Sequence, residues 1–119
     1  PKVYIFGFSA SFKNPVIYFT DIQVLDSAWI DSKTKFLLER DSYSAQLKDY
    51  LTNTTSDPHR TCMVVFSTDK AKAEKKYMKL KNNYTVKANA KDGYDVKFLS
   101  DEDFKFSLID ISEEVSEEQ

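Results

Sequence analysis

The chain has 119 residues, of which 30% are charged, 41% hydrophobic and 14% aromatic, with two glycines and three prolines. That length fits one domain, the scarcity of Gly and Pro excludes collagen-like chains and flexible linkers, and the apolar content is enough to fill a core. Seventeen basic and 19 acidic residues give a formal net charge of -2, and no apolar run approaches the roughly 20 residues that a membrane-spanning helix needs.

Val3, Ile5 and Gly7 alternate with Tyr4, Phe6 and Phe8. Both faces of this run are apolar, which is the pattern of a central strand covered on each side. Gly7 signals a bulge or a close backbone approach. The stretch after Phe8 is small and polar and ends in Lys13-Asn14-Pro15, which is turn chemistry. A second strand from Val16 to about Gln23 then makes a long-looped hairpin with the first. Between Val24 and Lys35 two readings stand. Leu25, Trp29 and Ile30 form one face of a short helix capped by Asp26, or the segment is an irregular extension of the second strand.

Asp41 or Ser42 is expected to cap the next helix, whose apolar face is Tyr43, Leu47, Tyr50 and Leu51. Thr61 to Phe66 reads as a buried strand by composition. Thr68 is expected to cap a second long helix, with Asp69 favourable to its dipole. That helix reaches Asn82 or Asn83 and carries Ala73, Tyr77, Leu80 and Tyr84 as its stripe. Lys91-Asp92-Gly93 is a turn, and Tyr94–Leu99 with Phe104–Ile109 reads as a terminal hairpin. The order β-β-α-β-α-β-β predicts a single α+β domain over residues 1–111, with helices packed on a mixed or antiparallel sheet. Ser112 to Gln119 holds four glutamates and no base and reads as a disordered acidic tail.

Without those four glutamates the net charge of -2 becomes +2. Seven of the 17 basic residues lie between Lys70 and Lys87, against one acid, Glu74. Lys72, Lys76 and Lys79 share one helical stripe, and Lys75 lies beside Lys79. Such a row neutralises phosphates, and Arg60 extends it if the preceding loop lies nearby. The plainer reading is a solvated face that keeps the helix soluble.

Cys62 alone makes no internal disulfide, and with His59 as the single histidine a four-ligand zinc site is not expected. A reducing cytoplasm is the expected location, and no secretory leader is visible. Cys62 alternates with Val64 and Phe66 as a buried strand cysteine does, rather than a nucleophile. Asp101-Glu102-Asp103 lacks the glycine and alternating ligands of a calcium loop. No glycine-rich phosphate loop or Gly-x-Ser-x-Gly context occurs, so no cofactor is expected. Nine Phe, seven Tyr and one Trp exceed what a small core needs. Some of Phe8, Phe12, Tyr18, Phe19, Trp29 and Phe36 are therefore expected to form an exposed patch suited to a protein interface, a homodimer included.

Val3-Tyr4 on the first strand, Tyr18-Phe19-Thr20 on the second and Glu74-Lys75-Lys76-Tyr77-Met78 on a later helix resemble the GIY-YIG nuclease domain over about residues 2–84. The resemblance implies a metal-dependent nuclease. In it Tyr4, Tyr18 and an arginine, here Arg40, serve the phosphodiester, and Glu74 binds magnesium or manganese. Lys2 and Thr20 stand where the family's motifs carry glycine. The chain is also similar to small bacterial proteins. The residues by themselves favour a non-enzymatic cytoplasmic domain, not membrane-bound, that binds an acidic macromolecule, nucleic acid or protein, through Arg60, Lys72, Lys75, Lys76 and Lys79. The nuclease alternative requires Tyr4, Tyr18 and Glu74 to open onto one cleft.

Overall fold

The computed structural model describes residues 2–11, 13, 15–34, 36–55, 57, 59–85 and 94–109. Phe12, the Lys91-Asp92-Gly93 turn and the acidic segment from Ser112 lie outside these residues. The elements are β1 (Val3–Ala10), β2 (Val16–Thr20), β3 (Gln23–Leu25), α1 (Arg40–Thr55), β4 (Thr61–Ser67), α2 (Lys70–Thr85) and β5 (Asp95–Leu99). This is the α+β domain that the element pattern predicts.

A single mixed sheet is built on β1. Along one edge β4 runs antiparallel, from Tyr4 opposite Ser67 to Ala10 opposite Thr61. The other edge is shared by β2, with Phe8 opposite Phe19, and β3, with Val3 opposite Leu25, both antiparallel. Beyond β2 lies β5, parallel to it, with Val16 beside Asp95. From Phe8 to Val3 β1 moves five residues while its partner moves six, from Phe19 to Leu25, so the β2–β3 connection holds one extra residue as a bulge. There the Gly7 amide donates to Thr20 Oγ1 (2.8 Å), and that hydroxyl donates to the Asp21 carbonyl (2.9 Å). A side chain thus completes the ladder where the register slips.

The pleat of β1 sorts the core into two layers. Val3 and Ile5 meet Tyr43, Leu47 and Leu51 of α1 together with Phe104 and Phe106. Phe6 and Phe8 face the other way, toward Phe19 and toward Tyr77 and Tyr84 of α2. A Cβ on Gly7 would fall 2.7 Å from Leu47 Cδ2 and 3.1 Å from Phe106 Cζ. Glycine therefore lets α1 and the C-terminal segment close onto the sheet, so both readings of Gly7 hold, the bulge lying in its partner strand.

Both helices start away from the expected cap, α1 two residues before Asp41 and α2 one residue after Thr68. Glu39, at φ 61°, precedes α1. Its carbonyl accepts from the amides of Ser42 and Tyr43, and its carboxylate accepts from Ser42 Oγ (2.8 Å), so Asp41 and Ser42 sit inside the first turn. Asp69, not Thr68, caps α2, its Oδ1 accepting from the Ala71 amide at 2.9 Å. The helix runs two residues past Asn83, to Thr85.

One open reading is decided and two expectations are corrected. No helix forms over Leu25–Ile30; the extended reading holds, as β3, followed by a turn and a bridge from Ile30 to Leu37. The Thr61–Phe66 strand is an edge strand in which Val64 alone is fully buried. Residues 104–109 do not pair with β5. After the Ser100–Asp103 turn they run along α1 instead, with Phe104 on Tyr50, Ser107 bonded twice to the Gln46 side chain and the Ile109 amide donating to Tyr43 Oη. Gln23 holds this segment from the sheet side, through the Phe104 carbonyl (2.9 Å) and the Phe106 amide (2.8 Å). The alternation of buried Phe104 and Phe106 with exposed Lys105 is real, but its partner is a helix.

Candidate functional site

The outer edge of β4 has no strand partner among the described residues. Unpaired carbonyls on such an edge attract other strands, and here two cations occupy them. Arg40 Nη2 donates to the Val64 carbonyl (3.0 Å), and Lys76 Nζ donates to the Phe66 carbonyl (3.2 Å). Arg40 comes from the first turn of α1, with its guanidinium 5.7 Å from the centre of the Phe66 ring. Lys72 stands one turn before Lys76 on α2. Together with Phe36 and Thr68 these residues line a cleft of about 710 Å³. Phe36 is 59% exposed, the most exposed of the large apolar side chains among the described residues. Among the described residues no carboxylate lies within ion-pair reach of Arg40, Lys72 or Lys76. Three uncompensated cations around one concavity focus a positive field.

Of the predicted binding residues, Lys72 and Lys76 line this cleft. Lys75 and Lys79 are exposed on the same helix and turn farther from its buried stripe, by helical spacing. Arg60 is corrected: it is 3% exposed and spent inside the fold. Its Nε donates to Ser9 Oγ (3.0 Å), its Nη2 donates to the carbonyls of Val16 and Ser9, and its Nη1 pairs with Asp57 (3.5 Å). The guanidinium also covers the Tyr18 ring at 4.8 Å. A count of charges along the chain does not distinguish such an internal cation from a surface one.

The residues of the nuclease reading are dispersed. Tyr18 is opposite Ser9 and packs in the α1-side layer. Tyr4 is opposite Ser67 and points with Phe6 to the α2 side. They stand on opposite faces, and Ser9 is five positions from Tyr4 along β1, roughly 17 Å at strand spacing. Glu74 is exposed on α2, so the sheet separates it from Tyr18. It also leaves the helix on the flank opposite Lys72 and Lys76. Arg40 is the one member of the four in the basic cleft. Among the described residues no three His, Cys, Asp or Glu side chains gather. A magnesium-sized ion is commonly held by one or two carboxylates, with waters and substrate phosphates completing its shell, and Glu74 leaves α2 on the flank away from Arg40.

Of the aromatics singled out, Phe8 and Phe19 are buried, Tyr18 and Trp29 half-buried, and Phe36 exposed. Two-sided burial of the sheet consumes most of them. Phe66 in the cleft was not foreseen, because its alternation with Val64 reads as core; only the edge position of β4 brings it out.

Cys62 is half-buried, and its thiol donates to Ser9 Oγ at 3.3 Å. Burial pushes the thiol above its ordinary range, with the Ser9 hydrogen bond, Arg60 and Lys48 pulling less strongly the other way. The group stays protonated at neutral pH, and thiolate is the reactive form. Alkylation of the native protein is therefore expected to be slower than that of the denatured chain at neutral and mildly alkaline pH. By linkage, the stability contributed by the protonated thiol is intact below the ordinary thiol range and is lost as pH rises through the higher folded value. Equal native and denatured alkylation rates would contradict this.

No helix of the described residues is long and apolar enough to cross a membrane. Comparison of the chain with family models, with curated proteins and with solved structures finds no match.

Proposed function

We propose that the chain is a non-enzymatic binding domain that holds single-stranded nucleic acid in the cleft at the edge of β4. The observation that carries this reading is the convergence of Arg40, Lys72 and Lys76 on an exposed Phe36, with no carboxylate among the described residues to neutralise them. Cations spaced along a groove take phosphates, and an exposed ring stacks an unpaired base. Lys75 and Lys79 extend the same positive field around α2. An acidic peptide added as a strand is less well served, because the Val64 and Phe66 carbonyls it would pair with are already accepting from Arg40 and Lys76.

Fluorescence anisotropy with short single- and double-stranded oligonucleotides tests the reading. Three neutralised phosphates predict that single-strand affinity falls about twentyfold when salt rises from about 50 to 200 mM. K72E/K76E is expected to abolish binding. Phe36→Ala should weaken it by about 1–3 kcal/mol, the worth of one stacked base, without changing the salt slope. No binding at the lower salt would refute the proposal. Binding of polyglutamate but not of oligonucleotides would reassign the cleft to an acidic protein.

A further inference from the structure

On the side of the sheet opposite the basic cleft, β5 pairs with β2 alone among the described residues. The Asp95 amide donates to the Pro15 carbonyl (2.9 Å), and the Leu99 carbonyl accepts from the Asp21 amide (3.0 Å). Residues 95, 97 and 99 therefore aim their backbone groups at β2. The amides and carbonyls of Val96 and Phe98 point outward, because successive residues alternate in a strand. Among the described residues no cation takes the outward carbonyls of this edge, in contrast to β4, although Lys81 Nζ lies over the Phe98 ring at 5.2 Å. It also carries two exposed large apolar side chains, Tyr94 at 43% and Phe98 at 46%.

From this arrangement we infer that β5 is a self-association edge and that its partner is the β5 of a second copy, running antiparallel about a two-fold axis at Val96. Pairing outward-facing residues with outward-facing residues, and at least three residues of the span 94–98, leaves three centres, Asp95, Val96 and Lys97. Centring on Asp95 sets aspartate against aspartate, and centring on Lys97 sets lysine against lysine, and like charges directly opposed destabilise a sheet. Centring on Val96 sets Asp95 against the second copy's Lys97 and Tyr94 against its Phe98, each pairing made twice by symmetry. Asp95 and Lys97 would then exchange their loose contact within one chain, 3.8 Å with both side chains more than half exposed, for two pairs across the axis. In this register Val96 bonds Val96 through both backbone groups, as the narrow pairs of an antiparallel ladder do. An isologous contact of this kind closes as a dimer and leaves no further edge on that side. It is independent of the nucleic-acid reading, and it would place the two basic clefts at opposite ends of one continuous sheet.

Sedimentation velocity of the full chain up to millimolar concentration tests the inference. A monomer–dimer equilibrium is expected for the native sequence. Val96→Pro removes an outward amide and spares the β2–β5 ladder, so it should give a monomer with unchanged circular dichroism. Lys97→Asp should weaken dimerisation about tenfold, and the exchange D95K/K97D should restore it. A native chain that stays monomeric throughout, or a dimer that Val96→Pro and Lys97→Asp leave intact, would overturn the inference.

Discussion

Replacing Arg60 with methionine is expected to lower the unfolding free energy by about 3–5 kcal/mol, although the substitution keeps an unbranched stem of similar length. Arg60 reaches the hydroxyl and carbonyl of Ser9, the Val16 carbonyl and the Asp57 carboxylate from a site that is 3% exposed. Methionine leaves these acceptors short of a donor in a place water does not easily reach, and each buried group so stranded costs about 1–3 kcal/mol. It also strips the Cys62–Ser9 pair of its neighbouring positive charge. Arg60→Lys should recover only part of the loss, because one ammonium cannot fan out to acceptors on three segments. Urea unfolding is the measurement, with K72E/K76E as the contrast. Those lysines are exposed, and changing them should move stability by about 0.5 kcal/mol or less. An Arg60→Met protein within about 1 kcal/mol of the parent would mean that the guanidinium is not the tie between β1, β2 and the start of β4 that its contacts describe.

Phe19→Ala should cost about as much, roughly 3–5 kcal/mol, through lost packing rather than lost polarity. Phe19 is fully buried, and its ring lies 5.2 Å from Phe8, 5.9 Å from Tyr77 and 6.0 Å from Phe98, centre to centre. α2 has one fully buried residue, Ala73; the rest of its grip on the sheet passes through the half-buried rings of Tyr77 and Tyr84. Removing Phe19 takes away a surface that both rings lean on. Amide exchange is therefore expected to accelerate in α2 well before it does in α1, whose Tyr43, Leu47 and Leu51 are fully buried in the other layer. Uniform acceleration across both helices would show that the two layers do not separate.

What was legible in the chain was whatever depended on local spacing. The two-sided apolar run of β1, the stripe of α1 and the stripe of α2 were readable because side-chain period and burial agree there. The caps were displaced by one or two positions, since Glu39 and Asp69 do their work through backbone geometry that neighbouring Asp, Ser and Thr residues mimic in sequence. The partner of Phe104–Ile109 was not legible. Alternation says which residues face inward, but not whether a strand or a helix waits there, and Gln23, 81 residues earlier than Phe104, is what fixes the answer. The fate of the cations was hidden for the same reason. Lys72 and Lys76 announce themselves by their stripe. Arg40 joins them across a strand edge, and Arg60 is turned inward by contacts with Ser9, 51 residues away.

The placement of β1 has a bearing on how the chain is made. This strand is apolar on both sides, yet the segments that flank and cover it, β4 and α2, begin 51 and 60 residues after its last residue, Ala10. During synthesis one margin of β1 and its Phe6 and Phe8 side would wait, exposed to other nascent chains, until β4 and α2 had left the ribosome. Closing such distant pairs is slow compared with forming the helices, so the yield of native protein should depend on what shelters β1 until β4 and α2 arrive.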